Sequence, residues 1–369
     1  MVATSESQKV AEAGQPVLGK SLIVPSVQEL AKQLLGAVPP RYLRSDNQPS
    51  VHPDDPSLQL PVLDMERLIN GDQMELLRFH SACQEWGFFQ LVNHGVSLTL
   101  VEKVKKDIQD FFNIPLEEKK KYWQTPGDFE GFGQSFVHSE EQKLDWADKF
   151  SLVTLPKHIR KPHLFPMLPL PFRDDLEDYS NEVKKLARKI LGVVARALKL
   201  DTEYLNDLFE EGKQALRMNY YPPCPEADKV IGLSPHSDAV GLTILLQLND
   251  TQGLQIRKDG LWIPVIPLPG AFVVNIGDIL EMITNGAYRS IEHRAMINPN
   301  KERLSVAAFH SPRLDADIGP SSILITPETP ARFKRIIAAD FFKNLFSRPL
   351  DGKSYLDLMR IEMENTKTV

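Results

Sequence analysis

Beyond residue 212 the sequence breaks into short β-rich runs: Ala215–Tyr220, Leu242–Leu248, Leu254–Ile256, Trp262–Val265, Phe272–Ile276, Ser290–Ala295 and Ser305–His310. Short strands satisfy their backbone groups only by pairing with one another, so many of them at this spacing predict a jelly roll or barrel. Asp259-Gly260 and Asn285-Gly286 fall between runs, where tight hairpin turns need residues that tolerate positive φ. Just upstream, Leu176, Tyr179, Val183, Leu186, Ile190, Val194 and Leu198 form a helical stripe, which predicts a long scaffold helix.

The first half reads as mostly helical. Residues 1–20 have no periodicity and predict a loose tail, and Ser26-Val27-Gln28-Glu29 fits a capping box opening a short helix to about Gly36. A proline-rich connection follows over residues 39–60, then a strand at Leu60–Leu63. Leu76, Phe79, Cys83 and Trp86 recur at helical spacing, Phe88–Val92 suggests a strand, and Val101, Val104, Ile108 and Phe111 mark another helix. Helical patterns return at 331–346 and 353–360. The expected division is a flexible tail at 1–20, a helix-rich region at 21–210, a jelly-roll core at 211–312 and a helical segment at 313–369. The fold class expected is mainly β with flanking helices.

Composition narrows the function. Forty-three basic against 49 acidic residues give a net charge of −6, which leaves no basic field for nucleic acid or an anionic membrane. The two cysteines, Cys83 and Cys224, carry no disulfide framework, and no apolar run is long enough for a signal or a membrane span. A cytoplasmic monomer acting on a small molecule is expected. Cys224, set among prolines without a base partner, reads as a structural thiol.

Nine histidines and 49 acidic residues make about one His-x-Asp/Glu pair a matter of composition alone. Three occur: His52/Asp54, His138/Glu140 and His236/Asp238. The first lies in the proline-rich connection, and the second follows a glycine-rich turn with no β partner. His236/Asp238 instead leads into the apolar run Leu242–Leu246, and His293 offers a third ligand on a later strand. Two histidines and one carboxylate form the facial triad of non-haem Fe(II) oxygenases, with coordination positions left open. Ten residues after His293, Arg303-Leu304-Ser305 supplies a guanidinium and a hydroxyl suited to the far carboxylate of a keto acid.

These residues resemble a family, the plant 2-oxoglutarate- and Fe(II)-dependent dioxygenases, in the branch of senescence-related, codeine-demethylase-like and norcoclaurine-synthase-like members. The carriers run in family order: Asn219-Tyr220-Tyr221-Pro222-Pro223-Cys224-Pro225, Pro235-His236-Ser237-Asp238, Gly241–Leu245, Gly253–Ile256, Asn275-Ile276-Gly277-Asp278, Ser290–Arg294 and Arg303–Ser305. Trp86–Phe89 and Asn93-His94-Gly95 belong to the same pattern. The resemblance implies a double-stranded β-helix core. It also implies Fe(II) on His236, Asp238 and His293, and 2-oxoglutarate on Arg303 and Ser305, with Asn219 and Tyr221 completing that site. Phe309 falls where relatives present an aromatic to the organic substrate, and Phe132, in Gly131-Phe132-Gly133, where they place a substrate-lining loop.

The reaction implied consumes O2 and 2-oxoglutarate, releases succinate and CO2, and hydroxylates, O-demethylates or desaturates a C–H-bearing substrate, with ascorbate as reductant. No Lys or Arg cluster in the sequence marks an acidic substrate, so a hydrophobic, ring-bearing metabolite such as an alkaloid, flavonoid, coumarin or terpenoid is expected. Two rivals remain at this point: an ascorbate-dependent oxidase of the 1-aminocyclopropane-1-carboxylate-oxidase type, and a non-catalytic binder on the same fold.

Overall fold

Side chains alternate across a strand, so each β-rich run must sort its residues onto a helix-facing and a cavity-facing side. The computed structural model describes residues 21–33, 37–45, 58–126, 128–134, 137, 139–347 and 352–362. Among these, β1 (Val62–Asp64), β2 (Phe88–Val92), β3 (Gly131–Gly133), β4 (Asp148–Leu155) and β5 (Gln214–Tyr221) come first. They are followed by β6 (Leu233–His236), β7 (Leu242–Gln247), β8 (Leu254–Lys258), β9 (Leu261–Pro264), β10 (Phe272–Ile276), β11 (His293–Ala295) and β12 (Arg303–His310). One sheet has the order β1-β2-β10-β7-β12-β5-β4-β3, and β6-β11-β8-β9 form a second. This is the double-stranded β-helix, a jelly-roll core with helices around it. Strands β1 to β4 come from before residue 210, yet they extend the same sheet.

The large sheet buries its outer face under helices. Leu216, Met218, Ile244, Leu246, Val274 and Val306 share one core with Leu176, Tyr179, Val183, Leu186 and Ile190 of the Phe172–Leu198 helix. Each such aliphatic contributes about 1.5–3 kcal/mol by leaving water. The helix stops where Lys199 turns left-handed at φ 54°. The inner face carries the alternate residues. Arg303 stands opposite Tyr221, Ser305 opposite Asn219 and Gln247, Phe309 opposite Thr243, and Thr243 opposite Asn275. Smaller apolar clusters fill the space between the sheets, one around Leu254, Ile256 and Val273, the other around Tyr221, Leu233 and Ala295.

Several local expectations shift. Ser26 caps the Val27–Lys32 helix by accepting from the Glu29 amide at 3.4 Å, but its hydroxyl donates to Asp148 at 2.6 Å and Glu29 pairs with Lys32, so the return half of the capping box is not formed. Asn285-Gly286, at φ 52° and 78°, ends the unforeseen Asp278–Ile283 helix and makes no hairpin, whereas Asp259-Gly260 does join β8 to β9. Within 290–295 only His293–Ala295 is strand. Residues Ile336–Ile337 pair with Asp317–Ile318, so the helix expected from 331 starts at Ala338. The tail at 1–20 lies outside the described residues.

At the C-terminus the chain returns beneath the second sheet. Gly352 bridges to His236, and Lys353 and Arg360 both reach the buried Glu281 carboxylate, each at 2.9 Å.

Candidate metal centre

β6 ends at His236 and β11 opens at His293, and the two residues are antiparallel partners. Their rings lie 4.3 Å apart between centroids. Asp238 sits two residues past His236 in the turn after β6, so strand end and turn together deliver the pair, not a single strand. Its Oδ1 is 3.6 Å from His236 Nε2 and 3.7 Å from His293 Nε2. One donor atom from each of the three residues falls within 4.8 Å of the others, and all three side chains are buried.

Every other polar atom of the trio is committed. His236 Nδ1 donates to the Ser234 carbonyl at 2.8 Å and His293 Nδ1 to the Ile291 carbonyl at 3.2 Å. A carbonyl only accepts, so the protons reside on Nδ1 and the Nε2 lone pairs turn inward. Asp238 Oδ2 accepts from Thr243 Oγ1 at 2.7 Å and from Asn275 Nδ2 at 2.9 Å, which leaves Oδ1 for the centre. His236 Nε2 is buried with no partner among the described residues. Burial, reinforced by His293, pushes the His236 imidazole down to about 3, so it stays a neutral donor. Burial alone would raise Asp238, but His293 and the hydrogen bond from Asn275 hold the carboxyl below the usual carboxylate range. Two imidazole Nε2 atoms and one carboxylate oxygen, with room on the open side, fit a divalent iron.

Gly277 makes the turn behind Asp238 possible. A Cβ there would meet the Val240 carbonyl at 2.1 Å, in the backbone knot where the Asp278 amide binds the Asp238 carbonyl at 2.8 Å.

The same cavity, about 440 Å³ including its mouth, is lined by Asp238, His293, Asn219, Tyr221, Arg303 and Ser305 along with apolar residues. Arg303 is buried, donates to Gln247 Oε1 at 3.1 Å and stacks over Tyr221 at 5.2 Å, while its Nε has no partner among the described residues. Asn219 Nδ2 lies 3.3 Å from Ser305 Oγ. Gly253 clears space for the guanidinium stem, since a Cβ there would stand 2.8 Å from Arg303 Cδ. A buried, partly unsatisfied fork of this kind fits a carboxylate held through two bonds.

Phe309 lines the cavity, with Arg217 stacked on its ring at 5.0 Å. Phe132 does not. Its register partner is Phe150, on the helix-facing side of the sheet, and its ring is fully buried among Phe111, Phe112 and Trp123. The alternation of β3 therefore corrects the expectation that Phe132 meets substrate. His52, Asp54 and His138 lie outside the described residues, and Glu140 is a surface partner of Arg41 at 3.0 Å. His94 ties its own turn, accepting from the Val96 amide at 3.1 Å. Cys224 is a buried free thiol, pushed up by burial.

Sequence reasoning gave no role to Thr243 and Asn275, the two residues that hold Asp238. It also passed over Arg217, although strand alternation puts it on the face of Asn219 and Tyr221, two and four residues ahead.

Residues 212–312 match the 2OG-Fe(II) oxygenase superfamily, and residues 60–168 match the family described as non-haem dioxygenase in morphine synthesis N-terminal. The chain is 58% identical to oxoglutarate-dependent flavonoid 7-O-demethylase 1 of Ocimum basilicum, over 95% of this chain and 94% of that one. It is 54% identical to codeine O-demethylase of Papaver somniferum, over 93% and 98% of the two chains. Among solved structures, JOX2 in complex with 2OG, Fe and JA superposes with a TM-score of 0.85 at 34% identity, covering 93% of this chain and all of that one. No helix among the described residues is long and apolar enough to cross a membrane. The donor set, the fold and these likenesses agree: the chain belongs to the 2OG-Fe(II) oxygenase superfamily, as a dioxygenase that uses Fe(II) and 2-oxoglutarate.

Proposed function

We propose that His236, Asp238 and His293 hold the iron, that Arg303 and Ser305 grip the distal carboxylate of 2-oxoglutarate beside Asn219 and Tyr221, and that the enzyme oxidises an O-methyl group on a ring-bearing metabolite. The observation that carries this reading is the convergence of both Nε2 atoms and Asp238 Oδ1, all other donors being tied, beside the buried Arg303–Ser305 pair. Bound there, Fe(II) supplies oxygen activation coupled to decarboxylation of the keto acid to succinate.

The protein's own part is positioning and exclusion. Thr243 and Asn275 fix the carboxylate so that one oxygen alone faces the iron. Arg303 sets the keto acid's orientation, and Leu245, Ala307 and Phe309 give the substrate an apolar wall. Hydroxylating an O-methyl carbon yields a hemiacetal, which collapses to the free hydroxyl and formaldehyde. Relatives named as demethylases of a flavonoid, codeine and thebaine support O-demethylation over desaturation. On charge balance and two free buried cysteines we read the protein as a cytoplasmic monomer, with ascorbate keeping iron reduced.

The test supplies the iron-loaded protein with 2-oxoglutarate, O2, ascorbate and a panel of methoxylated ring compounds, and measures succinate and formaldehyde together. Equal yields of both from one compound are expected, and neither from Asp238→Ala. Arg303→Ala should raise the KM for 2-oxoglutarate by roughly thirtyfold or more, the effect of about 2 kcal/mol or more from losing a buried charged pair. Succinate without formaldehyde on every methoxylated substrate would replace demethylation with hydroxylation or desaturation.

A further inference from the structure

Arg303 is held in place by the turn at 248–253, which joins β7 to β8. Gln247, the last residue of β7, stands opposite Ser305 and therefore shares the inner face with Arg303, two residues before that serine. Its Nε2 donates to the Asn249 carbonyl at 2.8 Å and to the Thr251 carbonyl at 2.9 Å. Carbonyls only accept, so the amide has a single orientation, with Oε1 turned to accept from Arg303 Nη2 at 3.1 Å. Gln247 thus ties the guanidinium to the turn.

Asn249 grips the backbone on both sides of the same arginine. Its Nδ2 donates to the Glu302 carbonyl at 2.9 Å, and its Oδ1 accepts from the Leu304 amide at 3.3 Å. The Leu248 amide adds a bond to the Leu304 carbonyl at 3.0 Å. From the helix side, Tyr220 and Gln109 donate to the Glu302 carboxylate at 2.6 and 3.1 Å, so the start of β12 is anchored from both faces. Gly253, at the end of the turn, lies against the Arg303 stem, and Tyr221 covers the guanidinium face. A freely rotating arginine loses side-chain entropy on gripping a carboxylate, whereas a tethered one has lost it already on folding.

We propose that Gln247 and Asn249 are positioning residues of the keto-acid site: they keep Arg303 preorganised, and affinity for 2-oxoglutarate depends on both although neither is among the residues lining the cavity. The inference rests on the assignment of Arg303 to the distal carboxylate and deepens it. It also makes the keto-acid site separable from the iron. The bonds that orient His236, Asp238 and His293 come from Ser234, Thr243, Asn275 and Ile291, all outside this turn.

The test loads the full chain anaerobically with Fe(II), titrates 2-oxoglutarate and follows binding through the iron–keto-acid charge-transfer band, with iron content measured after dialysis. Gln247→Met keeps the side-chain volume and loses the amide, and should raise the Kd for 2-oxoglutarate by about tenfold or more, as for a lost hydrogen bond to a charged group. Asn249→Ala leaves Gln247 in place and should raise it by about fivefold, which gives a second reading should the Met variant fail to fold. Iron content should stay at the wild-type value in both. Added to Arg303→Ala, Gln247→Met should change the Kd by less than about twofold, because the amide then has no guanidinium to position. Wild-type affinity in either single variant overturns the role of that residue. A penalty that is the same with and without Arg303 overturns the proposal, and so does a parallel loss of iron, which would make the turn a general support of the fold. Unchanged affinity in Arg303→Ala would instead overturn the assignment of Arg303, and absence of the band in wild type the oxygenase reading itself.

Discussion

Lys149 is a buried cation on the inner face of the large sheet, and Lys149→Met measures what it costs the fold. Methionine fills the same volume without a charge. Burial moves the amine from 10.5 down to about 8 in the folded chain. Each unit corresponds to about 1.36 kcal/mol, so the protonated lysine costs the fold roughly 3 kcal/mol at most. The sign follows from the direction of the shift. A lysine whose folded value is depressed binds its proton more weakly when folded. The penalty is therefore complete below pH 8, shrinks between 8 and 10.5, and vanishes above. In urea unfolding of the metal-free protein, the Met variant should be more stable than wild type at pH 7, and the gap should close towards pH 10.5. A variant less stable at pH 7, or a gap that does not change with pH, would refute the account of Lys149 as an uncompensated cation.

Other outcomes follow from the same geometry. Asn275→Ala removes one of two donors on Asp238 Oδ2 and should weaken iron affinity by about 10- to 100-fold, read as metal content after dialysis, with the melting temperature nearly unchanged. Glu281→Ala strips the buried carboxylate that receives Lys353 and Arg360, and should cost about 1–3 kcal/mol in urea unfolding, less than a fully buried pair because both cations are partly exposed. Ile190→Ala, in the helix stripe over the outer face of the sheet, should cost about 2–5 kcal/mol with little change in the KM for 2-oxoglutarate.

Much of the core was legible because its strands are short apolar runs set between turn residues. Leu242–Gln247 and Phe272–Ile276 read as strands for that reason. The donor trio was legible from spacing and context, since His236 and Asp238 precede a buried strand and His293 follows at a later one. β4 escaped notice because its inner residues, Lys149 and Ser151, are polar and dilute the apolar signal of Phe150 and Leu152. The same polarity hid the Lys149–Arg217 face, which exists only once β4 and β5 pair. Phe132 was expected in a substrate-lining loop, but Gly131–Gly133 pairs as a strand and turns its ring into the helix-side core. The helix at Asp278–Ile283 is too short to show a period.

Each iron-facing imidazole is locked by a carbonyl two residues upstream on its own chain segment, Ser234 for His236 and Ile291 for His293. Orientation of the two imidazoles is thus written into two short stretches of backbone, whereas Asp238 depends on the side chains of Thr243 and Asn275. The strand that carries Lys149, β4, lies outside those two stretches and can change without retuning the imidazoles. On this scaffold, oxygen chemistry and substrate choice can drift apart over time: new substrates can be acquired by rewriting β4 and its neighbours while the oxidising centre is inherited intact.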